Sequence, residues 1–174
     1  MTDSTNKPTH VIIGVMGPGD GAGLDDCEAA YQLGQLIAGC GWVVLTGGRN
    51  AGVMDAASRG AKDAGGLTIG ILPGGDRTSM SAAVDIPIVT AMGNARNAIN
   101  ALSSHVMIAC GIGAGTTSEI SLALKEQTPV ILLNQSLETY RFFQQLAGEQ
   151  VWMAQSPHDA VAIAQQLLEQ QAFQ

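Results

Sequence analysis

Apolar residues along this chain fall into short unbroken blocks, with longer stretches between them in which apolar positions recur every three or four residues. The blocks are Val11 to Val15, Trp42 to Leu45, Leu67 to Leu72, Ile86 to Val89, His105 to Ala109 and Pro129 to Leu133. Each is short, rich in β-branched residues and bounded by glycine or proline, the pattern of a strand buried on both faces. The stretches between them read as helices: Leu24 to Cys40, Val53 to Ala64 closed by Gly65-Gly66, Asn94 to Ser103, about Thr117 to Lys125, and Leu137 to Ala147. Val151 to Met153 reads as a short edge strand. In the last helix Ser156 suits the N-cap, Pro157 the first turn, and Ala160, Ile163, Ala164, Leu167 and Leu168 form the apolar stripe.

Strands that alternate with helices and are themselves continuously apolar predict an α/β fold, a doubly wound parallel sheet of Rossmann-like type. No composition break divides the chain. Residues 1–8 read as a flexible tail and 9–174 as a single Rossmann-like ligand-binding domain.

Four strands run into glycine-rich turns: Gly17-Pro18-Gly19-Asp20-Gly21-Ala22-Gly23, Thr46-Gly47-Gly48-Arg49-Asn50, Pro73-Gly74-Gly75-Asp76 and Gly111 to Thr116. In an open α/β sheet these turns share the carboxyl edge, where ligands bind at the point of reversal of strand order. If the first and fourth strands are neighbours there, the first turn and Met92 to Arg96 flank the crevice and the turn after the fifth strand closes it. The segment Gly113-Ala114-Gly115-Thr116-Thr117 carries the most information. It joins a strand to a helix, so its N–H groups and the helix dipole favour an anion, foremost a phosphate.

Composition narrows the ligand. Among 174 residues only 13% are charged, the net charge is −7 and no Lys/Arg run occurs. A nucleic-acid groove and an anionic membrane surface are disfavoured; a small anion is not, since it needs only local N–H groups and one or two cations. Gly17 to Ala22 can be written G-x-G-x-x-A, yet Thr46-Gly47-Gly48 stands where an NAD site needs an acidic residue, and no Walker motif occurs. Cys27, Cys40 and Cys110 form no C-x-x-C pair, which fits a reduced, cytoplasmic protein. His10, His105 and His158 lack metal-ligand spacing, so no metal site is expected. No signal-peptide pattern or bilayer-length apolar stretch is seen.

Two charged residues read two ways. Thr116-x-x-Glu119 is a capping box, the favoured reading on pattern alone, or else Glu119 is a carboxylate facing a ligand. Arg96 is either a phosphate-pairing guanidinium or a surface residue bonded to carbonyls or solvent. The small-residue face Ala56, Ala57, Gly60, Ala61 and Ala64 would let a second subunit approach closely, and at least a dimer is expected.

Gly47-Gly48 with Gly52-Val53-Met54, Gly65-Gly66 with Ile69 to Pro73, Met92 to Arg96, and Gly113 to Glu119 together resemble the Lonely Guy superfamily of cytokinin-activating phosphoribohydrolases. The resemblance spans most of residues 10–135. That family's motif is P-G-G-x-G-T-x-E-E after an upstream M-x-x-R-K. Here Arg96, Gly113, Gly115, Thr116 and Glu119 match, while Gly111 replaces Pro, Ile112 Gly, Ser118 the first Glu, and Asn97 the Lys. The shorter form looks more like the molybdenum cofactor carrier proteins within that superfamily. This resemblance implies a molybdopterin phosphate at Gly113, Ala114, Gly115, Thr116 and Thr117, with Arg96, Asn97 and Glu119 nearby. The rest of the cofactor would extend toward Gly17, Pro18, Gly19, Asp20, Gly47 and Gly48. It implies a soluble binding or carrier protein, a homodimer or homotetramer, and a molybdoenzyme as acceptor. The alternative is a nucleoside 5′-monophosphate phosphoribohydrolase, with Arg96 holding phosphate and Glu119 acting at the sugar; a sensor for some other nucleotide is a third reading.

Overall fold

The computed structural model describes residues 10–171; the tail expected at 1–8 lies outside them. Seven strands form one parallel sheet: β1 (Ile12–Met16), β2 (Val43–Thr46), β3 (Thr68–Leu72), β4 (Ile86–Val89), β5 (Val106–Cys110), β6 (Val130–Leu133) and β7 (Val151–Ala154). Among the described residues six helices follow them, one after each strand except β3: α1 (Leu24–Gly39), α2 (Gly52–Asp63), α3 (Asn97–Ser103), α4 (Ala114–Lys125), α5 (Leu137–Ala147) and α6 (Pro157–Gln171). The expected doubly wound Rossmann-like α/β sheet is what the chain forms. The last helix begins as its sequence predicts: Ser156 Oγ accepts the Asp159 N–H at 3.1 Å, and the Asp159 carboxylate accepts the Gln155 N–H at 2.9 Å.

Strand order is β4-β3-β2-β1-β5-β6-β7. The expectation that the first and fourth strands are neighbours is therefore corrected. Ile13 of β1 pairs with Val106 of β5, while β4 lies at the far edge of the sheet, beyond β3. Three successive steps in one direction fill the sheet from β1 to β4; the chain then crosses back to place β5 on the open side of β1. The crevice thus opens between the carboxyl ends of β1 and β5.

Two apolar layers cover the sheet. On one face Ile13, Val15, Val44, Val106 and Ile108 pack with Ala30, Leu33, Ile37 and Ala57 of α1 and α2 and with Ala160 and Ala164 of α6. On the other, Leu45, Ile71, Met107 and Leu132 meet Ala101 of α3, Ile120 and Ala123 of α4, and Phe143 of α5.

The small-residue face of α2 is used inside the subunit. Ala56, Ala57, Gly60 and Ala61 are buried, and a Cβ added at Gly60 would overlap the Tyr31 carbonyl oxygen of α1. Only Ala64 of that set is exposed. The face therefore explains how closely α1 and α2 pack, and it offers no argument for a dimer.

Candidate functional site

The carboxyl ends of β1, β2 and β5, with the start of α3, enclose a cavity of about 280 Å³. Gly17, Pro18 and Gly19 form one wall, Gly47, Arg49 and Met54 the second, Asn94, Arg96 and Asn97 the third, and Gly113 to Thr116 with Glu119 the fourth. Of the residues expected at the site, all but Asp20, Gly48 and Thr117 line it. Asp20 lies just outside, bonded to Arg49. Gly48 is buried beneath its turn with φ +73°, and Thr117 is half-buried one position further into α4. Arg49, Met54 and Met16 line the cavity as well and were not expected there as a group; only contact across the sheet edge reveals them.

Helix α4 starts at Ala114, with Gly113 as its N-cap, about a turn before the start expected from the sequence. No side chain caps this end. The first helical N–H groups have no intrahelical acceptor and belong to residues that line the cavity, an arrangement that favours an anion. The shift also removes the capping box. Thr116 is a first-turn residue instead of the N-cap, and the Glu119 carboxylate accepts from Asn100 Nδ2 at 2.7 Å, away from the helix end. Glycine at 111 follows from the backbone, whose φ of +79° lies outside what the proline ring allows. A Cβ there would stand 2.5 Å from Asp26 Oδ2.

Arg96 is not the surface residue that one reading allowed; it is 8% exposed. A 3-10 turn, Gly93–Arg96, brings it back from the edge strand over the ends of β2 and β3, where its Nη1 donates to the Gly47 and Ile71 carbonyls. A side chain at 47 would fill this space, its Cβ falling 2.6 Å from Nη1. Burial draws the guanidinium pKa below its usual range; Glu119 opposes that shift and Arg49 adds to it.

Among the described residues three buried side-chain atoms lack a hydrogen-bonding partner: Asn100 Oδ1, and two donors beside the start of α4, Arg96 Nε and Thr116 Oγ1, the latter on a side chain 2% exposed. Uncompensated, such atoms cost stability; a bound oxyanion supplies what both need. Asn97 and Ser118, two of the positions that depart from the hydrolase motif, face each other. Asn97 Nδ2 lies 3.4 Å from Ser118 Oγ and 3.5 Å from the Gly115 carbonyl, holding the first turns of α3 and α4 together. A neutral pair thus stands where the motif has Lys and Glu.

Glu119 is 7% exposed, and burial pushes its carboxyl above the usual range; the Asn100 hydrogen bond and the Arg96 charge only partly oppose this. Its raised folded pKa contributes stability that is complete below the unfolded value near 4.5 and is lost as pH rises through the folded value. Thermal melts of the ligand-free protein from pH 4.5 to 8 are expected to show this. Glu119→Gln should melt above wild type at the neutral end, the gap closing toward the acid end. Parallel curves at a constant offset would contradict it.

Cys110 is buried at the end of β5, where its thiol donates to the Asp26 carbonyl at 3.1 Å; burial first, then Asp26 and Cys27, pushes its pKa up to about 12. It is an inert packing residue. Among the described residues no group of three His, Cys, Asp or Glu side chains could hold a metal ion, and no helix is long and apolar enough to cross a membrane.

The same arrangement has known counterparts. A model of the SLOG cluster4 family matches residues 10–161. The solved molybdenum cofactor binding protein of Rippkaea orientalis is 58% identical, over 93% of this chain and 99% of that one, with a TM-score of 0.91. The molybdenum cofactor carrier protein of Chlamydomonas reinhardtii is 50% identical, over 92% and 99%, with a TM-score of 0.88. An uncharacterised protein of Archaeoglobus fulgidus is 46% identical over 114 residues, 66% of this chain and 74% of that one. A cytokinin riboside 5′-monophosphate phosphoribohydrolase of Mycobacterium tuberculosis is 39% identical over only 46 residues, a quarter of each chain (26% and 25%).

Proposed function

This chain belongs to the SLOG cluster4 family, and from that premise we propose that it binds molybdenum cofactor as cargo, for storage or delivery. The cofactor's phosphate rests on the amides of Gly113 to Thr116 at the uncapped start of α4, with Arg96 and Thr116 completing the shell. The single observation that carries this reading is the pair of buried atoms without partners, Arg96 Nε and Thr116 Oγ1, beside that helix end. Near full-length similarity to molybdenum cofactor binding and carrier proteins supports the choice of cargo. The Asn97–Ser118 pair supports a holding role: where the hydrolase motif has a cation and a carboxylate, both are neutral here. The cavity is of a size to take the phosphate-bearing end, and the rest of the cofactor extends toward Pro18, Gly19 and Gly47.

The test is pterin retention. Protein purified from a cofactor-producing host should yield pterin fluorescence after oxidation, and Thr116→Val should retain about tenfold less, the loss of one hydrogen bond to a charged group. Its thermal stability should stay level or rise, because the hydroxyl it removes has no partner in the ligand-free protein. No pterin in wild type, or full retention by Thr116→Val, would remove the proposal.

Phosphoribohydrolase activity is the second reading, favoured by the carboxylate of Glu119 in the same cavity as Arg96. Release of free base from a panel of nucleoside 5′-monophosphates, absent in Glu119→Ala, would establish it.

The proposal places the protein in the cytoplasm as a homodimer or homotetramer that passes its cargo to a molybdoenzyme. Three free cysteines support the compartment. Exposed Ile86 and Ile88 on β4, rather than the face of α2, support association.

A further inference from the structure

Arg49 and Asp20 stand on opposite banks of the cavity mouth, one on the turn after β2 and the other on the turn after β1. Arg49 Nη2 donates to Asp20 Oδ2 at 3.0 Å, with side chains 34% and 77% exposed. Among the described residues neither side chain has another hydrogen-bonding partner. Arg49 lines the cavity; Asp20 does not. The root of Arg49 is fixed, because Asn50 N–H donates to the Ser79 carbonyl at 2.8 Å and Ser81 N–H to the Gly48 carbonyl at 3.0 Å. Its tip is not.

Helix α4, Thr116 and Arg96 account for one anionic group. Arg96 cannot follow a longer ligand outward, since its Nη1 is tied to two carbonyls at the floor. Arg49 is the other cation on the wall. An exposed ion pair such as Arg49–Asp20 contributes little, whereas a guanidinium that meets an oxyanion inside a cavity makes charge-assisted, often bidentate bonds. We propose that Arg49 leaves Asp20 to bind the second anionic group of a two-ended ligand, so that Asp20 acts as an internal competitor that this second group must displace. This rests on α4 being the phosphate cradle.

Calorimetric titration with alkanediol bisphosphates of two to six carbons, each beside its monophosphate, tests the exchange. Wild type should prefer at least one bisphosphate over its monophosphate by about tenfold, a charge-assisted bond. Arg49→Gln should abolish that preference. Asp20→Asn should widen it about threefold, the release of a weak exposed pair, and Asp20→Glu should restore the wild-type ratio. The double variant should match Arg49→Gln, because Asp20 acts only through Arg49. If the monophosphates bind and Thr116→Val loses them, yet wild type shows no preference or Arg49→Gln keeps it, the cradle stands and the exchange is overturned. A narrower preference in Asp20→Asn also overturns it. If wild type binds no monophosphate, the cradle falls and this inference with it.

Discussion

Arg96→Gln protein is expected to retain at least tenfold less pterin than wild type and to melt at a lower temperature. Both effects come from one guanidinium with two tasks. At Nη1 it donates to the Gly47 and Ile71 carbonyls, which hold the ends of β2 and β3 beside the cavity. A shorter, neutral amide leaves these carbonyls short of a donor, at a cost of roughly 1–3 kcal/mol for each one stranded. At Nε, which has no partner in the ligand-free protein, it offers a charged donor to the proposed phosphate. Hydrogen bonds to charged groups contribute about 1.5–3 kcal/mol, and about 1.4 kcal/mol is tenfold in affinity. Pterin fluorescence per protomer and a circular dichroism melt read the two tasks separately. A folded Arg96→Gln protein with full pterin content would take Arg96 out of the proposed anion shell. Thr116→Val separates the same two quantities from the other side, since it should lose ligand without losing stability.

Gly60→Ala should lower stability by about 3 kcal/mol, the upper range for forcing an added carbon into a packed interior. In a domain of this size that is a fall in Tm of roughly 6–12 °C. The added Cβ would overlap a backbone carbonyl of α1, which cannot rotate away as a side chain can. Gly39→Ala, near the end of α1, is the control. Nothing lies within 4 Å of its Cβ position, so the helix should gain about 0.5–1 kcal/mol. Scanning calorimetry reads the contrast, and size-exclusion chromatography addresses the alternative. If the α2 face were a subunit interface, Gly60→Ala would shift the elution volume and spare the Tm of the dissociated chain.

Much of the fold was legible in the chain. Strands such as Val130–Leu133 are buried on both faces, so they must be apolar at every position and need no partner's identity to be recognised. Leu137–Ala147 was readable too, as was the N-cap Ser156 of the last helix, because a helix period and an N-cap are local; the Ser156 hydroxyl does accept from the Asp159 N–H. Strand order was not. A short apolar block carries nothing that names its neighbour, and the arrangement considered for Ile86–Val89, beside the first strand, is not the one formed. Even so, Asn94 and Arg96 of the segment Met92 to Arg96 line the cavity. They reach it because the chain returns there from the edge of the sheet.

The pattern Thr116-x-x-Glu119 shows where local reasoning reaches its limit. A capping box and a helix that starts three residues earlier share the same letters. What separates them is whether Gly113, preceded by Gly111 at φ +79°, can open the helix, and whether Asn100 on another helix claims the Glu119 carboxylate. The Ala-Gly face of α2 is a similar case: small residues license close approach without saying which helix approaches.

Glycine at the turns, apolar runs in the strands and an anion-ready strand-to-helix junction are properties of consecutive residues, and so the chain alone determined them. The pairing of β1 with β5, the burial of Arg96 against two carbonyls, the Asn97–Ser118 contact and the Arg49–Asp20 bridge join residues 21 to 93 positions apart, and only the tertiary structure decided them. The physical reason is that close-packed elements fix distances between side chains that no local preference encodes.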